Sequence, residues 1–174
     1  MPERYMKSMQ SVKSSRWRVS LMMIREAGLD EIELVRTIMY ESFIEYKDKL
    51  TPPSGAISET TDQIREKISR KGGAILVHDG PEAVGSAQYY VQDDYMYIGR
   101  IAVLPGRRGK GIGRAVVSYL EDLARSKGQK QVRLEVRLSL PENVIYYTRL
   151  NYIPIEEHEY PCKSDRWIIM SKSI

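Results

Sequence analysis

The residues from Arg108 to Gly113 read Arg-Gly-Lys-Gly-Ile-Gly, and their types and spacing suit the holding of an anion. Glycine reaches dihedrals closed to other residues and lets a ligand approach the backbone. At the mouth of a helix such a turn presents free N–H groups and the positive end of the helix dipole. Arg108 and Lys110 add positive charge, so a phosphate-bearing cofactor is the natural guest; the competing reading is a loop that merely needs room. The flanks favour the helix mouth. Tyr97, Ile98, Ile101, Ala102, Val103 and Leu104 form a β-favouring apolar run closed by Pro105 and Gly106. Beyond the glycines, Ile112, Val116, Tyr119, Leu120 and Leu123 recur at helical spacing, and Gly128 marks a stop.

Two nucleotide motifs are excluded. A Walker A loop needs Lys-Ser or Lys-Thr after its last glycine, whereas Ile112 follows Gly111. A dinucleotide fingerprint comes closer, because Glu135 lies roughly 20 residues on, where a ribose-binding acid belongs. Its third small position, however, falls on Arg114 counted from Gly109, or on Val116 counted from Gly111. Neither allows helix and strand to pack closely.

The pattern resembles motif A of the GNAT superfamily, the acyl-CoA-dependent N-acyltransferases: Gln or Arg, two residues, Gly, one residue, then Gly or Ala. Arg108, Gly111 and Gly113 fill it. The likeness runs through Ile101, Ala102 and Val103 before the turn, and through Pro141, Glu142, Asn143, Tyr146, Tyr147, Leu150 and Tyr152 after the next strand. Residues 95–155 are well covered, the N-terminal half only by its order of elements. The resemblance implies acetyl-CoA as cosubstrate and no metal. Backbone amides of Arg108, Gly109, Lys110, Gly111, Ile112, Gly113 and Arg114 would grip the pyrophosphate. The pantetheine arm would pair beside Ile101, Ala102 and Val103. In the family a tyrosine four residues before a Gly-Phe pair commonly protonates the departing thiolate, and Tyr147 stands four before Asn151-Tyr152. Asn for Gly is a mild change, since Asn tolerates the left-handed conformation.

Acidity makes a tyrosine workable, since coenzyme A leaves as a thiolate of pKa near ~8.5 and a phenol has one near ~10. Tyr146 and Tyr147 are adjacent, so on a helix they point about 100° apart and one faces the thioester. The other reading for either is an aromatic packed in the core, and it weighs more on Tyr146. Asn143 either hydrogen-bonds the pantetheine or caps the helix after Pro141.

Deprotonating the amine is where the sequence departs from the family, many of whose members carry an acid on the strand before motif A. Between Tyr95 and Val103 the only fully charged side chain is Arg100. A lysine-like amine of pKa near ~10.4 is free base only about one part in two thousand at pH 7, while an α-amine near ~7.8 is roughly a tenth free. A weakly basic acceptor therefore manages without a strong base. The remaining candidates are Glu135 acting through water, Asp93 or Asp94, and Glu41, Glu45 and Asp48 in the first helix. On the strand from Gln131 to Arg137, Glu135 shares a face with Arg133 and Arg137, so an ion pair is its competing role.

These residues need elements to position them. A helix near 29–47 carries Ile32, Leu34, Val35, Ile38, Met39 and Phe43, and a loop with Pro52, Pro53 and Gly55 follows. A second helix is predicted near 59–70 and strands near 74–78 and 83–92, ahead of the strand before motif A. The motif helix, a strand, a short helix, a strand from about 152 and a last one near 167–171 complete the order, which opens with a strand ahead of the first helix. That is the order of the GNAT fold, an α/β (α+β) architecture. It implies a mixed central β-sheet of about seven strands flanked by about four helices.

The 174 residues, 42% apolar and 29% charged, suit one compact domain, taken as 21–174. Residues 1–20 hold Arg4, Lys7, Lys13, Arg16 and Arg18 against Glu3, which is the whole chain's excess of +4. They are expected to be a flexible basic extension, or a stretch ahead of a natural start at Met22 or Met23. The neutral remainder gives no nucleic-acid-binding face. With no apolar signal-peptide core and no ~20-residue apolar span, no membrane partner and a cytoplasmic location are expected. Cys162, His78 and His158 lack metal-ligand spacing, and a Cys162–His158 nucleophile pair has no oxyanion feature beside it.

The expected function is direct transfer of an acetyl group from acetyl-CoA to a primary amine of a small molecule or peptide through a ternary complex. A homodimer is left open. The alternative, favoured by the absent strand acid, is a non-catalytic acyl-CoA-binding sensor or interaction module. Transfer to a hydroxyl would need a stronger base. The loops near 51–58 and 156–165 are expected to shape the acceptor pocket.

Overall fold

The computed structural model describes residues 22–174, so the basic tail of residues 1–20 lies outside the described residues. The chain runs β1 (Met22–Glu26), α1 (Ile32–Phe43), α2 (Gly55–Ser58), α3 (Thr61–Ser69), β2 (Gly72–Asp79), β3 (Glu82–Val91) and β4 (Met96–Val103). It continues with α4 (Ile112–Ser126), β5 (Gln131–Arg137), α5 (Pro141–Arg149), β6 (Ile153–Glu159) and β7 (Arg166–Ser173). The helix expected near 29–47 is α1 framed by single 3-10 turns at Leu29–Glu31 and Ile44–Tyr46. The expected order gains one element, the single turn α2, inside the segment read as a plain loop; Ser54 starts it by accepting from the Ala56 amide at 3.4 Å. The helices therefore number five among the described residues.

The seven strands form one mixed sheet in the order β1-β2-β3-β4-β5-β7-β6. Only β4 and β5 are parallel, because the chain crosses between them through α4. One face packs under α4 and α5, around Ile98, Val116, Leu120, Leu134 and Met170. The other packs under α1 and α3, around Val35, Met39, Ile64 and Leu76. Each fully buried aliphatic side chain contributes about 1.5–3 kcal/mol. Burial of Ile112, Val116, Val117, Leu120 and Ala124 thus ties α4, and the glycine turn at its start, rigidly to the sheet. Gly128, at φ 76°, ends that helix. No described helix is long and apolar enough to cross a membrane.

Two irregularities open the sheet at its centre. The β4–β5 ladder pairs only Met96 with Val132 and Tyr97 with Arg133, and the strands then separate. On the other side of β4, Ser86 pairs with Ala102 and Gln88 with Gly99, so Arg100 and Ile101 together face Ala87. This β-bulge holds Arg100 at φ 52°. It also reverses the alternation of side chains. Met96 and Ile98 point to the α4 face before the bulge, and Ile101 and Val103 do so after it, with Ala102 on the α1 face.

Candidate active site

The glycine turn is built for the conformation it adopts. Gly109 and Gly111 sit at φ 76° and 79°, where a side chain costs roughly 1 kcal/mol or more. Gly111 is the N-cap of α4 and carries no capping side chain. The first α4 amide with a backbone partner is that of Ala115, bonded to the Gly111 carbonyl at 3.0 Å. The amides from Gly109 to Arg114 donate to no described residue, so this helix mouth keeps its anion-binding capacity. Gly113 leaves room for Tyr146, whose hydroxyl lies 3.2 Å from where a Cβ would stand.

Arg108 departs from the expectation of a positive charge offered to the anion. Its guanidinium turns back, with Nε donating to the Val103 carbonyl at 3.0 Å, Nη2 to the Ser42 carbonyl at 2.8 Å, and Nη1 pairing with Glu45. It straps the turn to the end of β4 and to α1, and it removes Glu45 from the candidate bases. Lys110 is exposed and stands outside the cleft wall; Arg114 lines it.

A cleft of about 780 Å³ runs from this turn through the gap between β4 and β5. Ile101, Ala102, Val103, Arg108, Gly109, Gly111, Ile112, Gly113, Arg114, Glu135, Asn143 and Tyr147 all line it, so the tertiary structure gathers every site residue expected from the sequence except Lys110. Tyr147 is half-buried against the α4-side core, edge-on to Tyr152 at 5.9 Å and to Tyr146 at 5.1 Å. Its hydroxyl bonds to no described residue, and burial, followed by Tyr146, holds it above the ordinary phenol value. Tyr146 is 36% exposed, so the core role expected for it is wrong: the α5 turn leaves it on the rim. Asn143 is the third residue of α5, whose N-cap is Leu140, which removes the capping role. Asn151 does take the left-handed conformation, at φ 69°, and its successor Tyr152 is wholly buried with its hydroxyl 3.1 Å from Glu121.

Through the β4–β5 gap the cleft reaches the α1 face of the sheet, where alternation places Tyr97, Glu135, Arg137 and Trp167. Glu135 is not the ion partner its neighbours suggested. Arg133 lies over the Tyr95 ring at 4.1 Å, while Arg137 pairs with Asp165 at 2.8 Å, donates to the Pro52 carbonyl at 2.7 Å and covers Tyr160. The exposed Glu135 makes no ion pair with any described residue. Glu41, Asp48, Asp93 and Asp94 are exposed and outside the cleft wall. Cys162 contacts Ser164 at 2.9 Å and His158 contacts Glu156 at 3.2 Å, so the two form no nucleophile pair.

Sequence reasoning missed one feature entirely. Glu59, 5% exposed, accepts from Gln88 at 3.0 Å and from Arg100 at 3.3 Å, and pairs with Lys67. Burial alone would raise its carboxyl, but the Lys67 bond, the Arg100 charge and the Gln88 bond outweigh it and hold it low. It is therefore a poor base. Glu59 reads in sequence as an ordinary first-turn acid; the solitary charge of Arg100 on an apolar strand was the available signal.

Residues 36–152 match the model of the acetyltransferase (GNAT) family, and the chain belongs to it. Its relatives include the uncharacterized N-acetyltransferase YjcF of Bacillus subtilis (strain 168), 26% identical over 95 residues, which are 55% of this chain and 66%, just under two thirds, of that one. Among solved structures, the ribosomal-protein-S18-alanine N-acetyltransferase of Escherichia coli superposes with a TM-score of 0.72 at 18% identity, over 88% of this chain and 94% of that one. The PaiA N-acetyltransferase of Thermoplasma acidophilum, solved in complex with coenzyme A, superposes at 0.71 and 16% identity, over 88% and 99%. At these identities the likeness to the solved structures is one of fold.

Proposed function

We propose that the protein is an N-acetyltransferase that passes an acetyl group directly from acetyl-CoA to a primary amine bound in the same cleft. One observation carries the reading: Gly109 and Gly111 to Arg114, with their unpartnered amides, and Tyr147, with its unpartnered hydroxyl, line one cleft. The amides and Arg114 receive the pyrophosphate. Beyond Tyr97 the β5-facing edge of β4 lacks a ladder partner, which leaves Ile101 to Val103 free to pair with the pantetheine arm. Asn143 supplies a further side-chain amide to that arm. The neutral amine attacks the thioester carbon while a backbone N–H near Val103 polarises the carbonyl oxygen. A C–N bond forms and the C–S bond breaks. Tyr147 gives its proton to the thiolate, and the amine's surplus proton leaves through water to Glu135.

Burial raises the pKa of Tyr147 and keeps its proton in place through neutral pH, so the rate should rise with pH as the amine loses its own. The experiment is thiol release from acetyl-CoA with a panel of amino acids, polyamines, aminoglycosides and peptide N-termini. Tight acetyl-CoA binding with no release across the panel would identify a sensor instead. Tyr147→Phe should lower kcat about 10²-fold while acetyl-CoA binds as before; unchanged turnover would remove Tyr147 from its role.

A further inference from the structure

The charges on the acceptor side of the cleft point to the chemistry of the acceptor, on the reading just given. Arg137 is matched by Asp165, at 2.8 Å. Glu59 is shared by Lys67 and Arg100, so that cluster of two cations and one anion retains one positive charge. Arg100 donates to Glu59 through Nε, while Nη1 and Nη2 have no acceptor among the described residues, and its side chain, 33% exposed, lines the cleft. Glu135 supplies one negative charge with no ion partner. The two uncompensated charges line the same cleft, together with Tyr97 and Tyr160. Tyr160 and Trp167, tilted at 4.6 Å, add an aromatic wall beside them.

We propose that the acceptor is a zwitterion of the amino-acid type, whose ammonium group is drawn to Glu135 and whose carboxylate is received by the free guanidinium nitrogens of Arg100. A simple amine would leave Arg100 without a counter-charge inside the cleft, and a polyamine would set a second cation beside it. A zwitterion matches both charges, and its apolar side chain meets Tyr97, Tyr160 and Trp167.

The test compares each amino acid with the amine left when its carboxylate is removed, phenylalanine against phenethylamine for example. Thiol release and calorimetric binding to the coenzyme A-saturated protein are both measured. The acid-bearing member should have a kcat/KM and an affinity about tenfold or more higher, the worth of one charge-assisted hydrogen bond. Arg100→Lys should keep most of that ratio. Arg100→Asn, which tolerates the left-handed backbone at this position, should bring it close to one through KM. Equal or better use of the decarboxylated amines by the unsubstituted protein would overturn the acceptor assignment and leave the acetyltransferase reading standing. Selective binding of phenylalanine with no thiol release would do the reverse.

Discussion

Tyr146 and Tyr147 show how unequal two adjacent residues of one type become once a helix is docked. The α5 turn puts Tyr147 against Tyr152 and the core, and leaves Tyr146 over Gly113 at the rim. Their roles in the proposed chemistry differ accordingly: Tyr146→Phe should leave kcat within about threefold of the unsubstituted protein, far short of the loss expected for Tyr147→Phe. Steady-state kinetics on both variants checks the contrast. In the turn, Gly111→Glu combines a side chain at φ 79° with a negative charge among the amides proposed to receive the pyrophosphate. Calorimetry should find acetyl-CoA binding abolished. The glycines, Tyr147 and Asn151 could be read from sequence because their properties are local: allowed dihedrals, acidity, distance along the chain. The partners of Arg108 could not, because they lie on other elements, nor could the isolation of Glu135, whose neighbours Arg133 and Arg137 turn to other groups.

The bulge in β4 does most to make a site from these elements. It reverses the strand's faces, so that Ile101 and Val103 follow Met96 and Ile98 onto the α4 side, and it places Arg100 where Glu59 can hold it. Glu59 in turn joins the end of α2 to α3 through Lys67 and to β3 through Gln88. Removing its charge leaves two cations sharing no anion. Glu59→Gln should therefore cost about 2 kcal/mol of stability in urea unfolding. At the β1 edge of the sheet, Arg25 clamps Glu31 at the start of α1 through two bonds of 2.7 and 2.6 Å. The Arg25 bond, with the Gly28 amide, lowers the Glu31 carboxyl from 4.5 to about 2. A depressed carboxyl stabilises the fold fully above its unfolded value, so the contribution is complete above pH 4.5 and is lost as pH falls towards 2. Acid unfolding monitored by circular dichroism should be shallower for Glu31→Gln across that window.

For the whole molecule, the splayed sheet makes ligand and stability inseparable. The cleft is walled by α1, α4, α5 and both central strands, so a molecule held there binds the native state alone. At a hundred times its Kd, acetyl-CoA should add about 2.7 kcal/mol and raise Tm by roughly 5–10 °C in a thermal-shift measurement. The order of elements and the mixed sheet were legible in the sequence, because apolar periodicity, Gly and Pro punctuation and the motif around Arg108 act over a few residues. The short turn α2 escaped because a single helical turn has no periodicity to display. Local sequence determined the glycine turn at the mouth of α4 and the candidate acid Tyr147, on which the proposed donor rests. Only the tertiary structure decided which charges remain uncompensated: Arg108 answered by Glu45, Arg137 by Asp165, Glu59 shared between two cations, Glu135 left alone. Ion pairing depends on which side chains meet across 8 to 63 positions of chain, and packing decides which of them meet.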